Sequence, residues 1–443
     1  MDKAKNKIAV INHIWLWLIV LAVLVGMAHG SLEDVTKSSF ESAKAAVNLA
    51  IGLIGIMALW LGLMKIAEAG GLMRLIARAI RPLMVRLFPD VPAEHPAMAA
   101  IIMNMAANML GLGNAATPLG IKAMIELNKL NRKLGKATDA MCLFLAINTS
   151  SVTILPLGVI GVRAAAKAQD PAAVMIPSML ATLCSTIVAV TAAKLLSKRA
   201  HRLEQQPTPS QVEVPVSDMQ NVEEQVPAEE STELVPPGKA GKSAMWLLAA
   251  TILLVFSYRF LNAENIGDFG NEVMRHWIVP ALMLAIVVFG YLRGVKVYEV
   301  ATEGAKEGFQ VAVRIIPFLV MILVAIGMFK ASGAFTLIAD WISPVTSFLG
   351  IPPEVLPVAL MRPLSGSGSF GAMSALTAQA PDSLGAFMAG VMQGSTETTF
   401  YVLAVYFGAV GITKPRYAIA AALLADLAGM SAAVVLARIF YPG

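Results

Sequence analysis

Apolar residues run along this chain in stretches of about 20, the length a helix needs to cross a hydrocarbon layer of ~30 Å at 1.5 Å per residue. The pattern predicts spans at 8–27, 46–66, 138–162, 172–196, 244–261, 275–293, 311–330, 385–410 and 415–437. Two further apolar segments, Pro96–Leu130 and Pro357–Pro381, are interrupted in the middle by Leu110-Gly-Leu-Gly-Asn-Ala-Ala-Thr-Pro118 and Ser365-Gly-Ser-Gly-Ser-Phe-Gly371. Gly and Ser at that density break a helix, and Thr117-Pro118 reads as an N-cap followed by Pro at the first helical position. Non-helical backbone is tolerated at membrane depth only where protein buries it or where it lines a wet cavity. Both segments therefore read as re-entrant helical hairpins. The expected fold is an all-α integral membrane protein with about nine transmembrane helices, two such hairpins and an inverted-topology repeat.

The repeat is read from matching strings. Glu41-Ser-Ala-Lys44 aligns with Glu303-Gly-Ala-Lys306 at a shift of 262, and the same shift brings Gly71 onto Gly333 and Pro82 onto Pro344. Pro92 and Pro96 then fall on Pro353 and Pro357, and Leu180-Ala-Thr-Leu183 on Leu424-Ala-Asp-Leu427. Between the halves, composition turns to Pro, Gln, Glu and Ser, too polar to bury a core. The organisation expected is a membrane half 1–200, a disordered acidic linker 201–242 and a membrane half 243–443.

Charge orients this plan. Lys3, Lys5 and Lys7, then Arg74, Arg78, Arg81 and Arg86, then Lys129, Arg132, Lys133 and Lys136, and later Lys198, Arg199 and Arg202 mark the cytoplasmic side by the positive-inside rule. Asn262–Glu272 carries Glu264, Asp268 and Glu272 without Lys or Arg and falls outside, whereas Arg163 and Lys167 are exceptions on the outer side. The expectation is a bacterial inner-membrane protein with N-terminus and linker cytoplasmic and C-terminus outside. Lys44 is then outside and Lys306 inside, which inverts the two copies, as in many secondary transporters. The first run, 8–27, has a signal-peptide order but is longer than a usual signal core, and it reads as a retained span. Segment 71–87 places Arg74, Arg78 and Arg81 on one face and reads as an interfacial amphipathic helix; 333–349, with Asp340 its sole charge, is its outer counterpart.

Composition agrees with this reading: 57% of residues are hydrophobic and 14% charged, against about 25% charged in soluble domains. The net charge of +5 lies in patches beside apolar runs, so no nucleic-acid partner is expected. Cys142 and Cys184 lie in apolar stretches, and the five histidines form no ligand-spaced motif, so neither a disulfide, a metal site nor a cofactor is expected. Gly366-Ser-Gly-Ser-Phe-Gly371 satisfies the dinucleotide pattern literally but lacks the preceding strand.

The spans 138–162 and 385–410 carry polar breaks at matching places, Asn148-Thr-Ser-Ser-Val-Thr153 and Gln393-Gly-Ser-Thr-Glu-Thr-Thr399. Polar runs in mid-span are costly unless they face a cavity or a partner, and half-helix N-termini offer open N–H groups to anything bound. Two hairpin tips and two breaks thus predict one polar binding site, with candidate substrate-binding residues Asn104, Asn108, Asn114, Thr117, Asn148, Thr149, Ser150, Arg362, Ser365, Ser367, Ser369, Gln393, Ser395, Thr396 and Glu397. Glu397 and Asp426 are candidates for ion coupling. Each has a structural alternative. Glu397 can pair with Arg362, Arg362 can snorkel, and Asn, Ser or Asp426 can bridge helices by hydrogen bonds.

The strings Asn104–Pro118, Asn148-Thr-Ser-Ser151, Arg362-Pro-Leu-Ser-Gly-Ser-Gly-Ser369 and Gln393-Gly-Ser-Thr-Glu-Thr398 resemble the spore maturation protein A and B families. The first half looks like A and the second like B, and these families carry a nucleoside-recognition or gate domain. The order of elements is also similar to concentrative nucleoside transporters, where hairpin tips and unwound spans bind nucleoside and coupling ion and the core moves as an elevator. The resemblance implies equivalent places at Asn108, Asn114, Asn148, Thr149, Ser367, Gln393 and Glu397. The first break departs from that pattern, with Asn-Thr-Ser-Ser where a glutamine and an acid are expected.

The leading expectation is a secondary transporter of a polar or anionic metabolite, nucleoside-like compounds first, coupled to protons or sodium and able to assemble as a homo-oligomer in the lipid bilayer. The alternative is a non-transporting scaffold or sensor in envelope or spore maturation. No nucleophile–base pair is visible, so an enzyme is not expected.

Overall fold

The computed structural model describes residues 10–111, 113–131, 133, 135–204, 238–262, 273, 277–337, 341, 344, 346 and 350–441. Most of the expected linker, most of the loop 262–272, and much of the expected outer helix 333–349 lie outside the described residues. The described elements are helical. Helix α1 spans Val10–His29, α2 Leu32–Ala69, α3 Leu72–Leu87, α4 Pro96–Met109, α5 Gly113–Lys129, α6 Asp139–Thr149, α7 Leu157–Ala165 and α8 Met175–Glu204. After the expected linker come α9 Lys239–Leu261, α10 Ile278–Leu292 and α11 Val297–Ala331. A 3-10 turn at Pro353–Val355 leads into α12 Leu356–Met361, then α13 Gly366–Gln379, α14 Leu384–Ser395, α15 Thr399–Gly408 and α16 Ala418–Phe440.

Three helices among the described residues are long and apolar enough to cross a membrane, at Leu32–Ala69, Met175–Ala200 and Ala418–Phe440. Shorter apolar helices include Trp15–His29, Asp139–Thr149, Pro280–Leu292 and Leu319–Ala331. Together they mark the chain as a multi-pass helical membrane protein. The stretch between the first two expected spans, 28–45, is corrected: from Leu32 it is helical, and it continues into the second span as one helix of 38 residues. Its first turn holds Glu33 and Asp34 where the helix dipole favours acids.

Helix α11 ends at Ala331, and α2 ends at Ala69, which is 262 positions earlier. Each is followed by a glycine in the left-handed region, Gly71 at φ 81° and Gly333 at φ 83°, a conformation open to glycine at little cost. The two helices run antiparallel. A Cβ on Gly308 would lie 2.6 Å from the Ala58 Cα, one on Gly304 2.5 Å from the Leu61 carbonyl, and one on Gly62 2.7 Å from the Ala301 carbonyl. Small residues let the backbones approach where lipid offers no hydrophobic drive for helix association. Helix α1 lies along α11, where the Trp15 indole donates to the Met321 carbonyl at 3.0 Å.

The two segments expected as hairpins each form a helix pair, but their breaks fall elsewhere than the sequence indicates. In the first, Gly111 at φ 72° turns the chain directly after α4. Helix α5 therefore restarts at Gly113, with Pro118 inside it rather than at its start. In the second, the turn is Arg362–Ser365. The glycine-serine string is not a loop: it forms the first turns of α13, with the Ser365 Oγ accepting from the Gly368 N–H at 3.1 Å.

Helices α6 and α14 begin with matching caps. Thr138 accepts from the Met141 N–H at 3.2 Å and Ser383 from the Ala386 N–H at 3.1 Å. Removing the second cap by Ser383→Ala is expected to lower stability by about 1 kcal/mol, read from thermal unfolding of the purified protein. An unchanged midpoint would show that water replaces the cap.

Candidate functional site

Both polar breaks are present. Helix α6 stops at Thr149 and α7 resumes at Leu157; α14 stops at Ser395 and α15 resumes at Thr399. The breaks meet directly, since the Glu397 N–H donates to the Thr149 carbonyl at 2.7 Å. Each hairpin turn packs on the break of its own half. The Ile154 N–H donates to the Met109 carbonyl at 3.0 Å, and a Cβ on Gly111 would lie 2.6 Å from the Leu155 carbonyl. In the other half, the Phe400 N–H donates to the Pro363 carbonyl at 3.2 Å, and a Cβ on Gly366 would lie 2.6 Å from the Thr398 hydroxyl. Glycine is required at 111, where a side chain would strike backbone of the neighbouring break at a left-handed φ; at 366 a side chain would displace the Thr398 hydroxyl.

On the first side, three asparagines and a tyrosine form one network. Asn104, on α4, donates to the Ala116 carbonyl at 2.7 Å and so ties the two arms of the hairpin. Its Nδ2 also approaches the Tyr406 hydroxyl at 3.5 Å. Asn108, one turn on, donates to Asn148 Oδ1 at 3.1 Å and approaches Asn104 Oδ1 at 3.5 Å. The Tyr406 hydroxyl donates to the same Asn148 oxygen at 3.4 Å, and its ring stacks on Phe144 at 5.8 Å. Asn148 Nδ2 turns back to the Phe144 carbonyl at 3.0 Å. Thr149 and Ser150 also turn back, each donating to the Ala146 carbonyl at 2.9 Å. These two hydroxyls close the end of α6, a structural use of residues the sequence offered as ligands. Thr117 is half-buried on α5 and makes polar or electrostatic contact. The Asn114 side chain lies outside the described residues.

On the second side, Arg362 is buried at 4% exposure. Its Nη1 reaches the Thr398 hydroxyl at 3.5 Å and its Nη2 lies 3.8 Å from Glu397 Oε2. The Glu397 distance is beyond hydrogen bonding, and the Glu397 side chain is 53% exposed. The Nε of Arg362 is buried with no partner. Ser369 donates to Gln393 Oε1 at 2.6 Å and also approaches the Val358 carbonyl at 3.2 Å, tying α12, α13 and α14 together. Ser365 and Ser367 lie 3.5 Å apart at the start of α13. Ser395 donates to the Met392 carbonyl at 2.7 Å, whereas the buried Thr396 hydroxyl has no partner. Asp426, on α16, accepts from the Thr399 hydroxyl at 2.7 Å.

Helix α15 begins at this point without a side-chain cap, so its positive end faces the break. A buried guanidinium with an unused N–H and a helix N-terminus form an anion-attracting corner. A partly exposed carboxylate stands beside it. Among the described residues no group of three or more His, Cys, Asp or Glu is placed to hold a metal ion.

Two residues missed by sequence reasoning belong here. Tyr406 lies in an apolar half-span and carries no motif. Arg163, read as an outer-loop exception to the charge rule, is buried at 1% exposure. Its guanidinium donates to the Pro381 and Asp170 carbonyls at 3.2 and 3.1 Å and lies over the Phe387 ring. It is a pin between the halves. A separate cavity of about 270 Å³, lined by Phe88, Asp139, Lys194, Lys198 and Tyr417 among others, contains none of the candidate residues.

The spore maturation protein A of Bacillus subtilis (strain 168) is 47% identical over 180 residues, which is 41% of this chain and 92% of that protein. The spore maturation protein B of the same organism is 46% identical over 165 residues, 37% of this chain and 93% of that protein. No solved structure matches. The Gate family, described as nucleoside recognition, matches residues 50–198 and 312–413, a range that takes in both hairpins and both breaks. The chain therefore belongs to the Gate family and is homologous to spore maturation proteins A and B.

Proposed function

We propose that this protein is a secondary transporter that binds a polar or anionic metabolite, nucleoside-like compounds foremost, where its two broken spans meet. The observation that carries this reading is the Glu397–Thr149 backbone bond beside the buried, incompletely satisfied Arg362. A buried cation with spare donors is costly unless something pairs with it, and an anionic or hydrogen-bonding solute would supply the partner. Broken half-helices that meet between repeats suit alternating access. Helices α2 and α11, equivalent in the repeat, run antiparallel as an inverted pair would. In this reading the first and second halves are inverted copies, the two helix pairs are re-entrant, and the positive-inside charges set the N-terminus in the cytoplasm. The family description, nucleoside recognition, favours nucleoside-like solutes.

The test is a thermal-shift screen of detergent-purified protein against nucleosides, nucleobases and phosphorylated metabolites, with Arg362→Gln and Glu397→Gln alongside. A ligand at 100 times its Kd should add about 2.7 kcal/mol of stability. Stabilisation in wild type that is lost in Arg362→Gln supports the site. Stabilisation that persists in both variants would place binding elsewhere. No stabilisation by any compound would favour a scaffold or sensor in envelope maturation.

A further inference from the structure

Helices α2, from the first half, and α11, from the second, cross through contacts that a shift of 262 relates in place but not in residue. A Cβ on Gly304 would lie 2.5 Å from the Leu61 carbonyl and 2.6 Å from the Lys65 Cβ. The shift carries Gly304 back to Ser42 and Lys65 forward to Gly327, and a Cβ on Gly327 would run into the Ser42 hydroxyl. The same two places therefore touch at both ends of the crossing. Each time, glycine stands on α11 and a larger residue on α2.

Of the three ways to pair such halves, one fits this spacing. Two first halves crossing in the same way would put Ser42 and Ala46 where Gly304 and Gly308 stand. Their Cβ atoms would then lie 2.5 Å from the Leu61 carbonyl and 2.6 Å from the Ala58 Cα, backbone atoms that cannot swing aside. Two second halves would put Val324 where Gly62 stands, with its Cβ 2.7 Å from the Ala301 carbonyl. Like pairs clash and the unlike pair closes, and such a clash is how a packed interface rejects a wrong partner. Charges act in the same direction. Arg163 of the first half, 1% exposed, is held by the Pro381 carbonyl and the Phe387 ring of the second. Asp139 accepts from Arg416 at 2.5 Å and from Tyr417 at 2.7 Å, and Lys65 lies 3.2 Å from Glu307. Taking one side away from a buried charge is costly. The Glu397–Thr149 and Tyr406–Asn148 bonds also cross between the halves, so the two breaks are joined only when both halves are present.

The relatives A and B, which the first and second halves resemble, are two separate proteins, matched here over 92% and 93% of their own lengths. We propose that the covalent link between the halves is dispensable, and that the first half is the obligate partner of a chain of the second half's kind. The two pair one to one across α2 and α11, and the first half does not pair with itself there. The surface that selects the partner is the glycine face of α11, at Gly304, Gly308 and Gly327, against Ser42, Ala58 and Leu61–Lys65 of α2. This pairing rests on no reading of transport.

The experiment starts from the full-length purified protein with a protease recognition sequence inserted between Glu204 and Gly238, cut after folding. The cut halves are expected to elute together at one to one in gel filtration and to unfold at the midpoint of the uncut protein. With Lys65→Cys and Glu307→Cys in a Cys184→Ser background, a short bis-maleimide is expected to rejoin a first half to a second half and never to join two first halves. Cut Gly308→Val is expected to separate under conditions that leave the cut wild type paired. If Gly308→Val is not recovered folded, Gly304→Ala takes its place. Separation of the wild-type halves on cutting would overturn the proposal. A crosslinked pair of first halves would overturn its selectivity, and a cut Gly308→Val as firmly paired as the wild type would overturn the surface assigned to it.

Discussion

Replacing Gly308 by valine should cost about 3 kcal/mol, the upper end of the usual penalty for overpacking a tight core. The contact there is backbone to backbone. A Cβ at 308 would sit 2.6 Å from the Ala58 Cα and 2.7 Å from both the Ala58 nitrogen and the Met57 carbonyl. None of these atoms can swing aside, so α2 and α11 must separate. Gly304 and Gly62 would meet backbone on the same interface, so the strain would spread along the crossing. Gly55→Ala is the control. Its Cβ would meet nothing within 4 Å, and alanine in a helix is worth about 1 kcal/mol over glycine. Thermal unfolding of the three proteins should rank Gly55→Ala at or above wild type and Gly308→Val far below. A valine variant as stable as wild type would mean that the two long helices do not cross in this way.

Asn148→Leu should be the second large loss, about 2 kcal/mol, with the branched shape of the side chain kept. Asn148 is 2% exposed and Tyr406 4%, so the leucine leaves the buried Tyr406 hydroxyl and the half-buried Asn108 amide without their shared acceptor. The cost is of leaving donors unpaired, not of losing a contact as such. The double variant Asn148→Leu/Tyr406→Phe removes one of the stranded donors. It should be less destabilised than the sum of the single changes by roughly 1 kcal/mol, the coupling expected of neighbours in one network. Additive losses in chemical or thermal unfolding would show that Tyr406 and Asn148 act separately.

Much of this architecture was legible in hydrophobic periodicity. The polar breaks at 148–153 and 393–399 stand out in the sequence because Asn, Gln, Ser and Thr are rare in mid-span, and both appear as helix interruptions. The shift of 262 between Gly71 and Gly333 reappears as two left-handed glycines at equivalent helix ends. Hairpin turns were placed less well. A run of Gly and Ser reads as a loop by propensity, yet around 366–371 it is a helix, because glycine is needed there for close approach: a Cβ on Gly371 would lie 2.5 Å from Ile322. Tertiary contact overrode propensity. Arg163 stood as an exception to the charge rule, which counts Arg by loop position and cannot see the two backbone carbonyls and the ring that hold it in the interior. Tyr406 was invisible because its function lies in one hydroxyl oxygen, and no spacing along the chain announces where that oxygen points. Thr396 and Asp426 stand out in sequence as polar groups in apolar spans, but that each keeps one buried oxygen without a partner is visible only in the structure.

The central claim, that solute crosses through the joined breaks, is tested most directly by uptake of radiolabelled nucleoside-like compounds into proteoliposomes. The account requires saturable uptake by the wild type, reduced at least tenfold in Arg362→Gln at equal reconstitution, the loss expected when about 1.4 kcal/mol of binding is removed. Uptake by both proteins at the same rate, or none by a wild type that binds the same compounds in solution, would contradict it.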